Sequence, residues 1–154
     1  MVAKKPSFGP DDPRLAFVLP LDNRIHFALN CGASSCPPVK TFSTEAVLEE
    51  LRVVTMAFLE GDDNAKVDVA NKTVWLSAIF NWFKGDFGGD PRAVCEMVCG
   101  FLRGEKQAAM KSLLDGGGKL SIKYFPYDWG TNAARSLDFG EADTATNEAS
   151  CAVM

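Results

Sequence analysis

Between the double proline at 37–38 and Gly61 lies the feature that most restricts the fold. Val47, Leu48, Leu51, Val54, Phe58 and Leu59 recur at three- and four-residue spacing. This is the stripe of an amphipathic helix, which must lay one side on a core. Ser43 is placed to cap it, Glu45 sits where the first turn's dipole favours an acid, and Phe42 can staple onto Val47. Gly61 ends it. Asp90 followed by Pro91 signals a second helix, with a capping carboxylate and a proline ring at the first helical position. It is expected to reach about Arg103, with Val94, Met97, Val98, Phe101 and Leu102 on its buried side. A third helix is expected over 105–115, broken by the glycines at 116–118.

Around these helices the pattern predicts strands. "RLAFVLPL" (14–21) is a short apolar strand or turn stopped near Pro20. "RIHFALNC" (24–31) alternates as a strand, sending Ile25, Phe27, Leu29 and Cys31 to one face and His26, Ala28 and Asn30 to the other. "KVDVANKTVWL" (66–76) is a hairpin turning at Asn71-Lys72, and Ser77 caps a short helix, "AIFNWF". "KLSIKYFPYDW" (119–129) is a last strand, bent by Pro126. The expected class is α+β, with helices packed on a small, mostly antiparallel sheet. A length of 154 residues with 47% hydrophobic content fits one domain with a real core. Residues 1–14 are expected to be an extended arm, 15–137 the globular domain, and 138–154 a disordered acidic tail.

Charge and patterning exclude several functions. A net charge of −4 lacks the basic surface that displaces counterions from phosphates, so no nucleic-acid partner is expected. No apolar run approaches the roughly 20 residues that span a bilayer. The start, "MVAKKPSFGPDDP", carries no apolar segment of a signal peptide. Five cysteines, an odd number, then read as mostly reduced thiols in an intracellular protein. "GDFGG" (85–89) lacks the lysine of a phosphate loop, and no other kinase element accompanies its Asp-Phe-Gly. No cofactor is expected.

Three blocks carry a resemblance: "RIHFALNCGASSCPP" at 24–38, "VWLSAIFNWFKGDFG" at 74–88 and "IKYFPYDWGTN" at 122–132. Together, and in this order, they resemble the family called domain of unknown function 547. The resemblance covers roughly residues 11 to 135 and implies fold and kinship, with no agreed activity. It also implies a further N-terminal half ahead of Asp12-Pro13-Arg14, so the chain is expected to correspond to the C-terminal portion of that domain.

The first block holds the only histidine and two of the five cysteines. A cysteine nucleophile needs a base or a cation to lower its pKa, and His26 is the only imidazole available. Strand alternation turns Cys31 away from His26, whereas Cys36, on the loop opened by Gly32, is free to fold back. The candidate catalytic set is therefore Cys36 and His26, with Asn30 or Asp128 orienting the ring; the plainer alternative is a structural histidine beside a buried thiol. Asp128 is more simply a turn cap. Zinc at His26, Cys31 and Cys36 lacks a fourth ligand, and Cys95 and Cys99, one helical turn apart, fit core packing better. No metal is expected. Disulfide chemistry between Cys31 and Cys36 departs from the Cys-x-x-Cys spacing of redox helices. The aromatic residues Trp75, Phe80, Trp82, Phe83 and Phe87 read as core.

The chain ends in Cys151-Ala152-Val153-Met154, which fits C-a-a-X with the Met that directs farnesyl transfer. Prenyltransferase, and then a membrane or a prenyl-binding protein, are the expected partners of Cys151. One prenyl chain anchors weakly, and Asp138, Glu141, Asp143 and Glu148 would be repelled by an anionic leaflet. The expected function is an adaptor or binding module, farnesylated and only transiently membrane-associated, in the cytoplasm and at the membrane periphery. The alternative is a cysteine-dependent enzyme, a thiol hydrolase or a thiol–disulfide exchanger, using Cys36 with His26.

Overall fold

The structure is a computed structural model that describes residues 8–131. Two 3-10 turns, Pro13–Phe17 and Asn23–Phe27, lead into helix α1, Val47–Glu60. Strands β1 (Ala65–Asp68) and β2 (Thr73–Leu76) follow, then helices α2 (Ala78–Trp82), α3 (Pro91–Phe101) and α4 (Gly104–Asp115), and strand β3 (Ser121–Tyr124). The class is α+β, as expected.

The sheet has the order β1-β2-β3. The β1–β2 pair is an antiparallel hairpin, with Val67 opposite Val74. Its turn falls where the sequence placed it, with Lys72 at a φ of 48° in the left-handed region. The Asp68 carboxylate ties the turn by accepting from the backbone and side-chain amides of Asn71. β3 pairs parallel to β2, so the sheet is mixed where a mostly antiparallel one was expected. The reason is connectivity: α2, α3 and α4 all lie between β2 and β3, a crossover long enough to return the chain in the same direction. β3 is also shorter than expected, because Phe125 N–H makes a last bond to the Leu76 carbonyl just before Pro126.

α1 and α3 run close to their expected bounds. The Asp90 carboxylate accepts from the backbone of Arg92 and Ala93, and α3 ends at Phe101. Ser43 holds the turn before α1 by accepting from Ala46 N–H and by bonding, through backbone and hydroxyl, to Glu50. The helix proper starts at Val47, three residues later than a cap at Ser43 would begin it, and Ala46 holds the capping position with no side-chain bond. The core gathers Leu59, Leu76, Phe80, Val98, Leu102 and Met110 around Phe27.

The strand expected at 24–31 is absent, whereas 14–21, expected as a strand or turn, is a turn; both places hold 3-10 turns, and the one isolated bridge among the described residues joins Ala33, beyond them, to Thr131. Each turn begins with the same local device. Asp12 accepts from the Arg14 backbone and pairs with its guanidinium, and Asp22 does the same with Arg24. Such short-range capping offers the backbone an alternative to extension. Arg24 also donates to the Leu48 carbonyl, docking the second turn on α1. Its consequence overturns the strand reading: adjacent His26 and Phe27 are both buried, whereas a strand would have sent them to opposite faces.

Candidate functional site

The residues between Asn30 and Pro37 form a closed loop. Gly32, at a φ of 82°, reverses the chain where a side chain would be strained. Asn30 staples the loop: its carbonyl accepts from Gly32 N–H, and its amide donates to the Pro37 carbonyl. Cys36 N–H closes a turn onto the Ala33 carbonyl. These bonds bring the two thiols together, with Cys31 Sγ 2.8 Å from Cys36 Sγ and Cys31 N–H also donating to Cys36 Sγ at 3.0 Å. Both cysteines are free thiols.

A distant segment completes the site. Ser34 N–H donates to the Gly130 carbonyl at 2.7 Å, and Ser35 and Asp128 exchange backbone and hydroxyl bonds. The Asp128 carboxylate caps its own turn by accepting from Gly130 N–H. This strap sets the Tyr127 hydroxyl 3.1 Å from Cys36 Sγ and 3.7 Å from Cys31 Sγ. The Tyr127 ring packs against Trp82 and Trp129, which are themselves stacked at 5.4 Å.

The electrostatics separate the thiols. Burial opposes ionisation of Cys36, but hydrogen bonds from the Cys31 thiol, the Tyr127 hydroxyl and the backbone outweigh it and bring its pKa down to about 7. Burial, then the neighbouring thiols, push Tyr127 far above the usual tyrosine range. It therefore stays protonated and donates. Burial pushes Cys95 up to about 11 and also raises Cys99, so neither α3 thiol is activated.

His26 and Cys36 do not meet. His26 Nε2 lies 3.0 Å from Asp86 Oδ2, and its ring stacks on Phe83 at 4.0 Å and tilts against Phe87 at 5.3 Å. Nδ1 is buried with no hydrogen-bond partner. A bare acceptor there costs less than an unpaired N–H, which favours the tautomer with the proton on Nε2 facing Asp86. Neither Asn30, which closes the loop, nor Asp128, which caps its turn, touches the imidazole. Among the described residues, no group of three or more His, Cys, Asp or Glu is arranged to hold a metal ion, and no helix is long and apolar enough to cross a membrane. Cys151 lies outside the described residues.

The sequence reading missed Asp86 and Tyr127 as the partners of His26 and Cys36. Each partner is 60 or more positions away along the chain, beyond any local spacing. The one available signal was co-occurrence of the "YDW" block with the "NCGASSC" block.

Cys36 also forms part of the wall of a cleft of about 430 Å³. The buried side chains of Phe27, Val54 and Phe58 give it an apolar wall, and Lys40, Asp63 and Asn64 line it as well.

Residues 2–59 match the model of a family described as a protein of unknown function, DUF547. The match contains the whole 24–38 block with both thiols; the blocks at 74–88 and 122–132 lie beyond it. No curated protein and no solved structure matches the chain.

Proposed function

We propose that this chain, whose residues 2–59 carry the DUF547 pattern, is a thiol–disulfide exchange protein with Cys36 as nucleophile and Cys31 as resolving thiol. The observation that carries the reading is the 2.8 Å approach of the two sulfurs under the Tyr127 hydroxyl. A disulfide needs about 2.05 Å between sulfurs, so a small closing movement joins them. Exchange requires no general base near neutral pH, because donated hydrogen bonds already favour the Cys36 thiolate. This differs from the dyad expected from the sequence, in which His26 would have supplied the activation.

The Cys36 thiolate attacks one sulfur of a substrate disulfide, forming a mixed disulfide and expelling one substrate thiolate. Cys31 loses its proton to solvent and attacks Cys36 Sγ. The Cys31–Cys36 disulfide forms and the second substrate thiolate leaves, each leaving group taking up a proton. Two electrons pass from the protein dithiol to the substrate disulfide. The test is oxidation of the reduced protein by excess hydroxyethyl disulfide at pH 7, followed by intact mass and peptide mapping. A Cys31–Cys36 linkage is expected. Its absence, with Cys36 reacting no faster than an unstructured thiol, removes the reading.

The last four residues support a second, compatible reading, since Cys151-Ala152-Val153-Met154 spells a farnesyl acceptor. In this reading the protein is a lipid-modified adaptor that visits membranes transiently or rides on a prenyl-binding partner.

A further inference from the structure

The cleft beside Cys36 has the size of a small-molecule site and offers its occupant a particular set of groups. Lys40 presents an ammonium, Asp63 a carboxylate, and Asn64 an amide able both to donate and to accept. The neighbouring Asp62 is already engaged, paired with Lys106 at 2.9 Å. The Ser34 hydroxyl is committed to the strap at 130–131, and the Ser35 hydroxyl accepts from Asp128 N–H. Among the described residues, Lys40, Asp63 and the Asn64 side chain make no such internal bond, and all three line the cleft. The apolar part of the wall, from Phe27, Val54, Ala57 and Phe58, suits the short aliphatic link between a charged head and a disulfide sulfur.

We infer that this cleft selects a small zwitterionic disulfide of amino-acid type, its carboxylate on Lys40, its ammonium on Asp63 and its disulfide sulfur against Cys36. The inference rests on the exchange reading and adds the substrate class to it. Binding of both charged groups of one head would hold the scissile S–S bond at the thiolate, converting part of the encounter into an intramolecular step. A carboxylate-only or ammonium-only disulfide gains one of the two contacts, and a neutral one gains neither.

The experiment compares four probes on the full-length reduced protein: cystine, dithiodiglycolate, cystamine and hydroxyethyl disulfide. Each second-order rate is divided by that of N-acetylcysteine with the same probe, which removes differences in leaving-group pKa. Cystine is expected to be favoured at least about tenfold over hydroxyethyl disulfide on this scale, the size of one modest polar contact. Lys40→Ala should slow cystine and dithiodiglycolate and leave cystamine and hydroxyethyl disulfide unchanged. Asp63→Asn should slow cystine and cystamine and leave the other two unchanged. If all four probes oxidise the dithiol with no preference, or if the variants slow every probe alike, the substrate class is wrong and the exchange reading stands. If no probe oxidises it, both are wrong.

Discussion

Replacing Tyr127 by Phe removes one oxygen and leaves the ring packed on Trp82 and Trp129. The lost bond is a 3.1 Å donation to Cys36 Sγ, one of several that bring its pKa down to about 7. A hydrogen bond to a charged acceptor contributes about 1.5–3 kcal/mol, and 1.36 kcal/mol is one pKa unit, so a rise of about one unit is a conservative expectation. At pH 7 the thiolate fraction then falls from about one half to about one tenth. The more basic thiolate is intrinsically about threefold more nucleophilic, because reactivity follows basicity with a slope of about 0.4–0.5. The net effect is a crossing of two profiles. The Phe variant alkylates about threefold slower at pH 6, matches the wild type near about pH 7.5, and is about threefold faster at about pH 9. Iodoacetamide labelling of Cys36, resolved from Cys31 by peptide mass, measures this directly. Parallel profiles without a crossing, or a wild-type midpoint near that of a free thiol, would refute the role given to Tyr127.

Four further outcomes are expected. Cys31→Ser leaves Cys36 able to attack a disulfide but unable to be resolved, so a stable mixed disulfide should accumulate in intact mass spectra where the wild type shows none. His26→Ala takes a stacked ring from Phe83 and Phe87 and a 3.0 Å hydrogen bond from the buried Asp86 side chain, so a loss of about 3 kcal/mol should lower the melting temperature by roughly 6–12 °C. Because Cys36 titrates lower in the folded than in the unfolded chain, its thiolate stabilises the fold above about pH 9, and that contribution is lost as pH falls through about 7. Urea midpoints under reducing conditions should decline across that window, and Cys36→Ser should flatten the decline. In a host that prenylates proteins, Cys151→Ser should shift the chain from the membrane pellet to the supernatant; equal soluble fractions would count against lipid attachment at Cys151.

The helices and the cap of α3 were legible because their signals are local. Asp90-Pro91 needs only neighbouring backbone amides to start α3, and the stripe from Val47 to Leu59 identifies one buried face whatever it packs against. The same locality explains the main failure. Alternation over 24–31 suggested a strand, but Asp22 caps the chain into a turn and Arg24 docks it on the Leu48 carbonyl. A capping bond between residues two apart is visible in the sequence as Asp-x-Arg, at both 12–14 and 22–24. The site fared likewise. Cys36 was identifiable as the loop thiol, yet its pairing with His26 followed from the strand geometry and fell with it.

What the residues determined unaided was helix placement, the hairpin turn and the thiol-bearing loop, each set by contacts within a few positions. What only the tertiary structure decided was the parallel return of β3, the burial of His26 against Asp86, and the arrival of Tyr127 over the two sulfurs. Those depend on which distant segments share a face once the core around Phe27 closes. Side-chain periodicity shows which residues turn inward; it carries no information about whom they meet there.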